Sequence, residues 1–321
     1  MKTATKTIDL VEDYINHRRS LGFGVSDSKD GAMLRSLGYY ADRAKHAGPL
    51  TVALAVGWAT STSKATPIQS ARRLALARGF ARYRKLFDPC TEVPPEGMLG
   101  PARYPRRAPH IYSHQEVAML QDAAMKIRPQ DGLRPRTHVT LLGLLVCTGM
   151  RVSEALSLNA ADVDLDAGLL TIRWGKFRRS RLVPLHTSTV HALREYCQFR
   201  DDYFRGTISD AFFLNESGTR LSYHHVRGAF SRIRRRVGWT AAPQGRLPRV
   251  HDLRHTFAVR FILRCYEENG KIDQKIAVLS TYLGHVNITK TYWYLTAVPE
   301  LMAIVGKRFE RFSLGTAGGE K

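Results

Sequence analysis

Apolar residues recur along the first third of the chain at the spacing of helix faces. Between Ile8 and Leu21 they fall at Leu10, Val11, Tyr14 and Ile15, which lie on one side of an α-helix. Met33–Tyr40 repeats the pattern with Met33, Leu34 and Leu37, and Val52–Trp58 gives a third short helix. Gln69–Phe87 predicts a fourth, in which Leu74, Leu76, Phe80 and Tyr83 alternate with Arg72, Arg73, Arg78, Arg82, Arg84 and Lys85. So many cations on one helix suit a phosphate backbone; a solvated surface helix is the alternative.

The helical pattern stops at Asp88. From there to Pro109 the chain carries Pro89, Pro94, Pro95, Pro101, Pro105 and Pro109, with Gly97 and Gly100. Proline removes a helix donor and disfavours helix in the residue before it. We read this stretch as an extended linker ending in a basic patch, Arg103, Arg106 and Arg107. The expected division is a helical region 1–90, a linker 91–109 and a second domain 110–321.

Ser113 followed by Glu116 has the form of a capping box, opening a helix through Val117, Met119 and Leu120. Thr137–Cys147 is apolar enough for a buried helix, and Gly149 turns the chain into Arg151–Leu158. The period then changes. Leu169–Trp174 and Arg181–Leu185 are apolar, β-branched runs around a short basic loop, which predicts a hairpin, with Phe212–Leu214 as a third strand. From Tyr223 onward the pattern is helical again. Near the end, Leu301, Val305, Phe309 and Phe312 form a single apolar stripe on a helix. The expected fold is mainly α with a small antiparallel β-sheet.

Composition narrows the functional classes. The 321 residues suffice for about two domains. Lysine and arginine number 49 against 28 acidic residues, a formal charge of +21 that favours a polyanionic partner. No apolar run approaches the roughly 18 residues of a membrane span. The opening MKTATKTIDLVEDY lacks an apolar core, so no secretion leader is expected. Cys90, Cys147, Cys197 and Cys265 show no CxxC pairing and read as reduced thiols in a cytoplasmic protein. Membrane, secreted and collagen-like chains are excluded.

Four short segments concentrate the candidate chemistry. The first is Thr148–Leu156, with Arg151 and Glu154; the second is the hairpin loop Trp174–Leu185, with Lys176, Arg178, Arg179 and Arg181. The third is His251–Ala258, with His251, Arg254 and His255. The fourth is Leu283-Gly284-His285, followed nine residues after that histidine by Tyr294. His251 and His255 have the HxxxH spacing of zinc ligands, but Asp252 and Leu253 break the HExxH form and no Cys pair completes a site. Asp162, Asp164 and Asp166 hint at a calcium loop, yet Ala167 and Arg173 occupy positions that require glycine and glutamate. Those aspartates read instead as a turn into the strand. The stretch Arg227, Arg232, Arg234, Arg235, Arg236, Arg246 and Arg249 reads as phosphate contacts. Arg178, Arg179 and Arg181 read as DNA-backbone or solvent contacts.

With these segments in this order, the sequence resembles the tyrosine recombinase, or phage integrase, family, which includes lambda integrase and the Xer-type recombinases. The resemblance runs from Ser113 to about Phe312 and departs from the common loop form at Phe177. It implies a SAM-like core-binding domain ahead of the catalytic domain, the two closing as a C-shaped clamp around duplex DNA. It implies roles as well. Arg151 and Arg254 would clamp the scissile phosphate, Lys176 would protonate the leaving 5′ oxygen, and His251 would handle the proton of the nucleophile. His285 would bond a phosphate oxygen, Glu154 would support the site, and Tyr294 would form a 3′-phosphotyrosyl link. Tyr292 is the competing nucleophile; the spacing from His285 favours Tyr294. The chemistry is consistent: fixed guanidiniums suit the charge that develops on a phosphoryl oxygen, and a tyrosine ester conserves the energy of the broken bond.

The family further implies a homotetramer on DNA or assembly with related recombinases, passage through a Holliday junction, docking of the C-terminal stripe into a neighbouring subunit, and no nucleotide or metal cofactor. The ending TYWYLTAVPEL resembles integrases of plasmids and transposable elements more than housekeeping Xer proteins, which implies recombination, integration or transposition of a mobile element. The alternatives are a catalytically silent DNA-binding accessory protein on the same fold and a type IB topoisomerase-like enzyme.

Overall fold

The computed structural model describes residues 6–63, 65–102, 108–173, 180–206, 209–240, 247–268 and 272–284, with 306 and 310. The chain divides into two units, Met1–Arg107 and Ala108–Lys321.

The first unit contains α1 (Thr7–Ser20), α2 (Ala32–Arg43), α3 (Val52–Thr60) and α4 (Pro67–Arg84). Their inward faces build one core from Val11, Tyr14, Ile15, Leu34, Leu37, Trp58, Leu74 and Phe80. Local signals set the helix starts. Thr51 accepts from the Leu54 amide, and Thr66 with Gln69 forms a capping box ahead of Pro67, a residue suited to the first helical position. The arginines of α4 differ from their expected role. Arg73 lies over the Trp58 ring at 4.3 Å and donates to its carbonyl. Arg78 donates to the Pro94 and Pro95 carbonyls, Arg72 pairs with Asp30, and Arg82 pairs with Glu96. Much of the helix's charge therefore bonds its own unit. The start of the proline-rich segment also lies against that unit, since the Glu92 amide donates to Leu50 and the Val52 amide donates to the Glu92 carboxylate.

The second unit is built around α6 (Leu133–Thr148), buried along most of its length, which packs against α5 (His114–Met125), α8 (Thr187–Phe204) and α10 (Asp252–Glu267). Leu141, Leu144, Leu145, Met150, Phe212, Phe213 and Leu253 belong to its core. The Ser113–Glu116 capping box opens α5. After α6 come the short α7 (Val152–Leu156) and a three-stranded antiparallel sheet, β1 (Val163–Asp164), β2 (Leu169–Ile172) and β3 (Arg181–Pro184), in that spatial order. The third strand is thus β1. Phe212–Leu214 contributes only isolated bridges at its flanks, Asn159 to Ala211 and Leu214 to Arg220. The aspartates before β2 make the turn: the Asp164 side chain accepts from the amides of Asp166 and Ala167, and buried Asp162 pairs with Arg173. The helices α9 (Tyr223–Arg236), α10 and α11 (Ile272–Tyr282) complete the described part. No helix among the described residues is long and apolar enough to cross a membrane.

Candidate active site

The site begins at the end of α6. Gly149 caps that helix with φ of 60°, and a Cβ there would lie 2.4 Å from Cδ1 of Phe257 on α10. Glycine is needed twice over, for the left-handed backbone and for the close approach of α10. The approach brings the Gly149 carbonyl within 2.8 Å of Nη1 of Arg254. Nη2 of the same guanidinium donates to the Leu283 carbonyl at 2.6 Å, just past the end of α11. Arg254 is only 3% exposed. A buried cation is tolerated where oxygens and dipoles compensate it, and here the carbonyl-rich ends of two helices do so.

Arg151 approaches from the other side. It caps α7, where its own amide donates to Oε2 of Glu154 and its Nη1 donates to Oε1 at 2.6 Å. Its Nη2 donates to the Gly284 carbonyl at 3.2 Å. Arg151 and Arg254 therefore hold consecutive carbonyls, Gly284 and Leu283, of the turn that leads to His285. Gly284 also takes a positive φ, 65°.

Arg181 has a partner that the sequence reading did not name. Its side chain is 15% exposed, and its guanidinium forms a fork on Glu154, Nη1 to Oε1 at 3.1 Å and Nη2 to Oε2 at 2.7 Å. The available signal was strand alternation. Leu182 points outward, 59% exposed, whereas Val183 is buried and Arg181 is largely covered on the first residue of β3, the side chain sharing the Val183 face by the two-residue period. Burial of Glu154 opposes ionisation, but hydrogen bonds from Arg181 and the Arg151 amide, with both guanidinium charges, hold its carboxyl down at about 2.

His251 stands immediately before α10, its ring 4.9 Å from that of His255 and nearly perpendicular. The residue keeps an open face to solvent, yet surrounding protein and the charges of Arg254, Arg249 and Arg151 push its imidazole down to about 4. Solvent moderates the effect of burial; the three nearby cations fix its direction. The imidazole is neutral at physiological pH. The adjoining Asp252 and Thr256 are buried structural groups: Asp252 accepts from Arg249, and Thr256 accepts the Tyr112 amide. Four arginines of the basic stretch also have partners within the unit, Arg234 on Pro248, Arg235 on Ser231, Arg236 on Lys126 and Arg249 on Asp252.

Arg151, His251 and Arg254 are thus brought together, with Glu154 and Arg181 beside them. Lys176, His285 and Tyr294 lie outside the described residues, as do Tyr292, Arg178, Arg179 and the whole C-terminal stripe, Leu301, Val305, Phe309 and Phe312. Among the described residues no group of three or more histidine, cysteine or acidic side chains is arranged to hold a metal ion.

A helical unit with a three-stranded sheet and buried guanidiniums around a helix end defines a class, and comparison with known proteins identifies it. Residues 111–300 match the profile of the phage integrase family. The chain is 39% identical over 305 residues to a putative integrase/recombinase, y4rB, of Sinorhizobium fredii, covering 94% of this chain and 96% of that protein. It is 32% identical over 237 residues to the tyrosine recombinase XerD of Mycobacterium tuberculosis, covering 73% and 71%. Among solved structures, the Tn1549 transposon integrase in complex with transposon right-end DNA aligns with a TM-score of 0.63 at 15% identity, covering 96% of this chain and 100% of that one. The chain belongs to the phage integrase family of tyrosine recombinases.

Proposed function

We propose that the protein is a site-specific recombinase that cuts and rejoins duplex DNA through a covalent phosphotyrosine. Tyr294 attacks the scissile phosphorus, the bond to the 5′ oxygen breaks, and the phosphate is stored as a 3′-phosphotyrosyl ester. Arg151 and Arg254 bind the non-bridging oxygens, where the charge grows in the transition state. Lys176 gives a proton to the departing 5′ oxygen. His251 takes the phenolic proton, and a neutral imidazole is the form able to do so. His285 donates to a phosphate oxygen. Attack by the 5′ hydroxyl of a second strand reverses the chemistry and completes the exchange. Four protomers on two duplexes, passing through a Holliday junction, carry out both strand exchanges.

The observation that carries this reading is the meeting of Arg151 and Arg254 on the Leu283–Gly284 turn, directly before the segment that bears His285 and Tyr294. Family membership and the net charge of +21 support DNA as the substrate. The test uses duplexes that the protein selects from a random-sequence pool, rebuilt with nicks so that the cleaved 5′ fragment diffuses away. Wild type is expected to form a denaturation-resistant DNA adduct, and Tyr294→Phe none. An adduct that persists in Tyr294→Phe and disappears in Tyr292→Phe would reassign the nucleophile. Tight binding without any adduct would leave a DNA-binding accessory protein.

A further inference from the structure

Arg181 has no role in the chemistry above, yet its surroundings are those of a working part. Its side chain is 15% exposed and Glu154 is 5% exposed on the same measure. Each oxygen of Glu154 receives two donors: Oε1 takes Nη1 of Arg151 and Nη1 of Arg181, and Oε2 takes the Arg151 amide and Nη2 of Arg181. The four acceptor positions of the carboxylate are filled. Among the described residues the buried Nε of Arg181 has no hydrogen-bond partner, an unfavourable arrangement if stability alone were served. A Cβ on Gly284 would lie 3.2 Å from Nη1 of Arg181 and 3.8 Å from Nη1 of Arg151, so the turn before His285 rests on both guanidiniums.

Charge explains why a second arginine is useful here. Arg151 with Glu154 alone is a one-to-one ion pair, which would itself add almost no net charge toward an approaching phosphate. Two guanidiniums on one carboxylate leave an excess of one positive charge. The bidentate fork also fixes the carboxylate plane, which lysine could not do.

We propose that Arg181 is a positioning residue for DNA cleavage: by clamping Glu154 it orients the Arg151 guanidinium and keeps the Arg151–Glu154 pair net positive toward the scissile phosphate. This rests on the function proposed above. Without Arg181, the carboxylate would neutralise Arg151; replacing that carboxylate with its neutral amide would restore the missing charge.

The experiment measures DNA affinity and single-turnover adduct formation on the same nicked duplexes, using full-length protein whose melting temperature is recorded. Arg181→Met is expected to slow adduct formation by about tenfold or more while changing the dissociation constant by less than about threefold. Combining Arg181→Met with Glu154→Gln should recover a substantial part of that rate, which neither a lost DNA contact nor a damaged scaffold would allow. Arg181→Lys, with the charge but not the fork, should fall between wild type and Arg181→Met. The proposal is overturned if Arg181→Met keeps the wild-type rate, if affinity falls as far as the rate, or if the double variant is no faster than the single one. If Arg181→Met does not fold, Arg181→Lys decides, and a wild-type rate there overturns the proposal. A wild-type protein that forms no adduct instead refutes the underlying reading.

Discussion

Both units are rich in arginine, and they use it in opposite ways. In the first unit, α4 places Arg72 on Asp30 and Arg82 on Glu96, and it sets Arg73 and Arg78 on an indole ring and on carbonyls. Its ion pairs, Arg72 on Asp30 and both Arg78 and Arg82 on Glu96, use carboxylates that stand in solvent, 40% and 76% exposed. In the second unit, two guanidiniums share a single buried carboxylate, and a third, Arg254, donates to main-chain oxygens at helix ends. Water screens the first arrangement, while burial preserves the charge of the second. Counting arginines does not separate a scaffold from an anion site; the burial of the carboxylate they share does, 5% exposed at Glu154 against 76% at Glu96.

The comparison can be tested from both sides. The largest effect is expected from Arg254→Gln, which keeps donors but removes the charge: adduct formation should fall by about 100-fold or more, with the fold retained by circular dichroism. A rate within a few-fold of wild type would make Arg254 a structural arginine like Arg73. Next is Gly149→Ala. A left-handed alanine and the collision with Phe257 together should cost about 2–4 kcal/mol in chemical denaturation. Because the Gly149 carbonyl holds Arg254, cleavage should fall too. An unchanged denaturation midpoint would show that the end of α6 yields easily. The smallest is Arg72→Ala. Its pair with Asp30 is exposed, with relative exposures of 53% and 40%, so less than about 1 kcal/mol of stability should be lost. DNA affinity falling sharply in that variant would mean that α4 also contributes charge to binding.

Much of this was legible in the order of residues. Helix periods at Val11, Leu34 and Leu74 and the Ser113–Glu116 cap depend on neighbours within one or two turns, so α1, α2, α4 and α5 follow from local pattern. Arg151, His251 and Arg254 could be picked out because their segments carry a family form. What failed was of two kinds. Helix α8 was not foreseen because its buried positions, Thr189, Leu193, Tyr196 and Arg200, include too few apolar residues to mark a stripe. Strand β1 is two residues long, below any period, and the more apolar Phe212–Leu214 drew the assignment. Arg181 was missed for another reason: its partner Glu154 is distant in sequence, and only the fold brings the two together.

Gly149 and Leu283 meet Arg254 through main-chain oxygens, and this has a consequence for how such a centre can diverge. A carbonyl belongs to a position rather than to a side chain, so replacing Leu283 with another apolar residue leaves the acceptor in place. Insertion of one residue in α11 is different: it would turn that helix by about 100° relative to its end and carry the acceptor away. Outside Gly149, whose backbone requires glycine, the anion pocket should therefore tolerate apolar exchanges such as those at Leu283 and resist changes of length, which makes indels near 272–284 a sign of a copy that has stopped working.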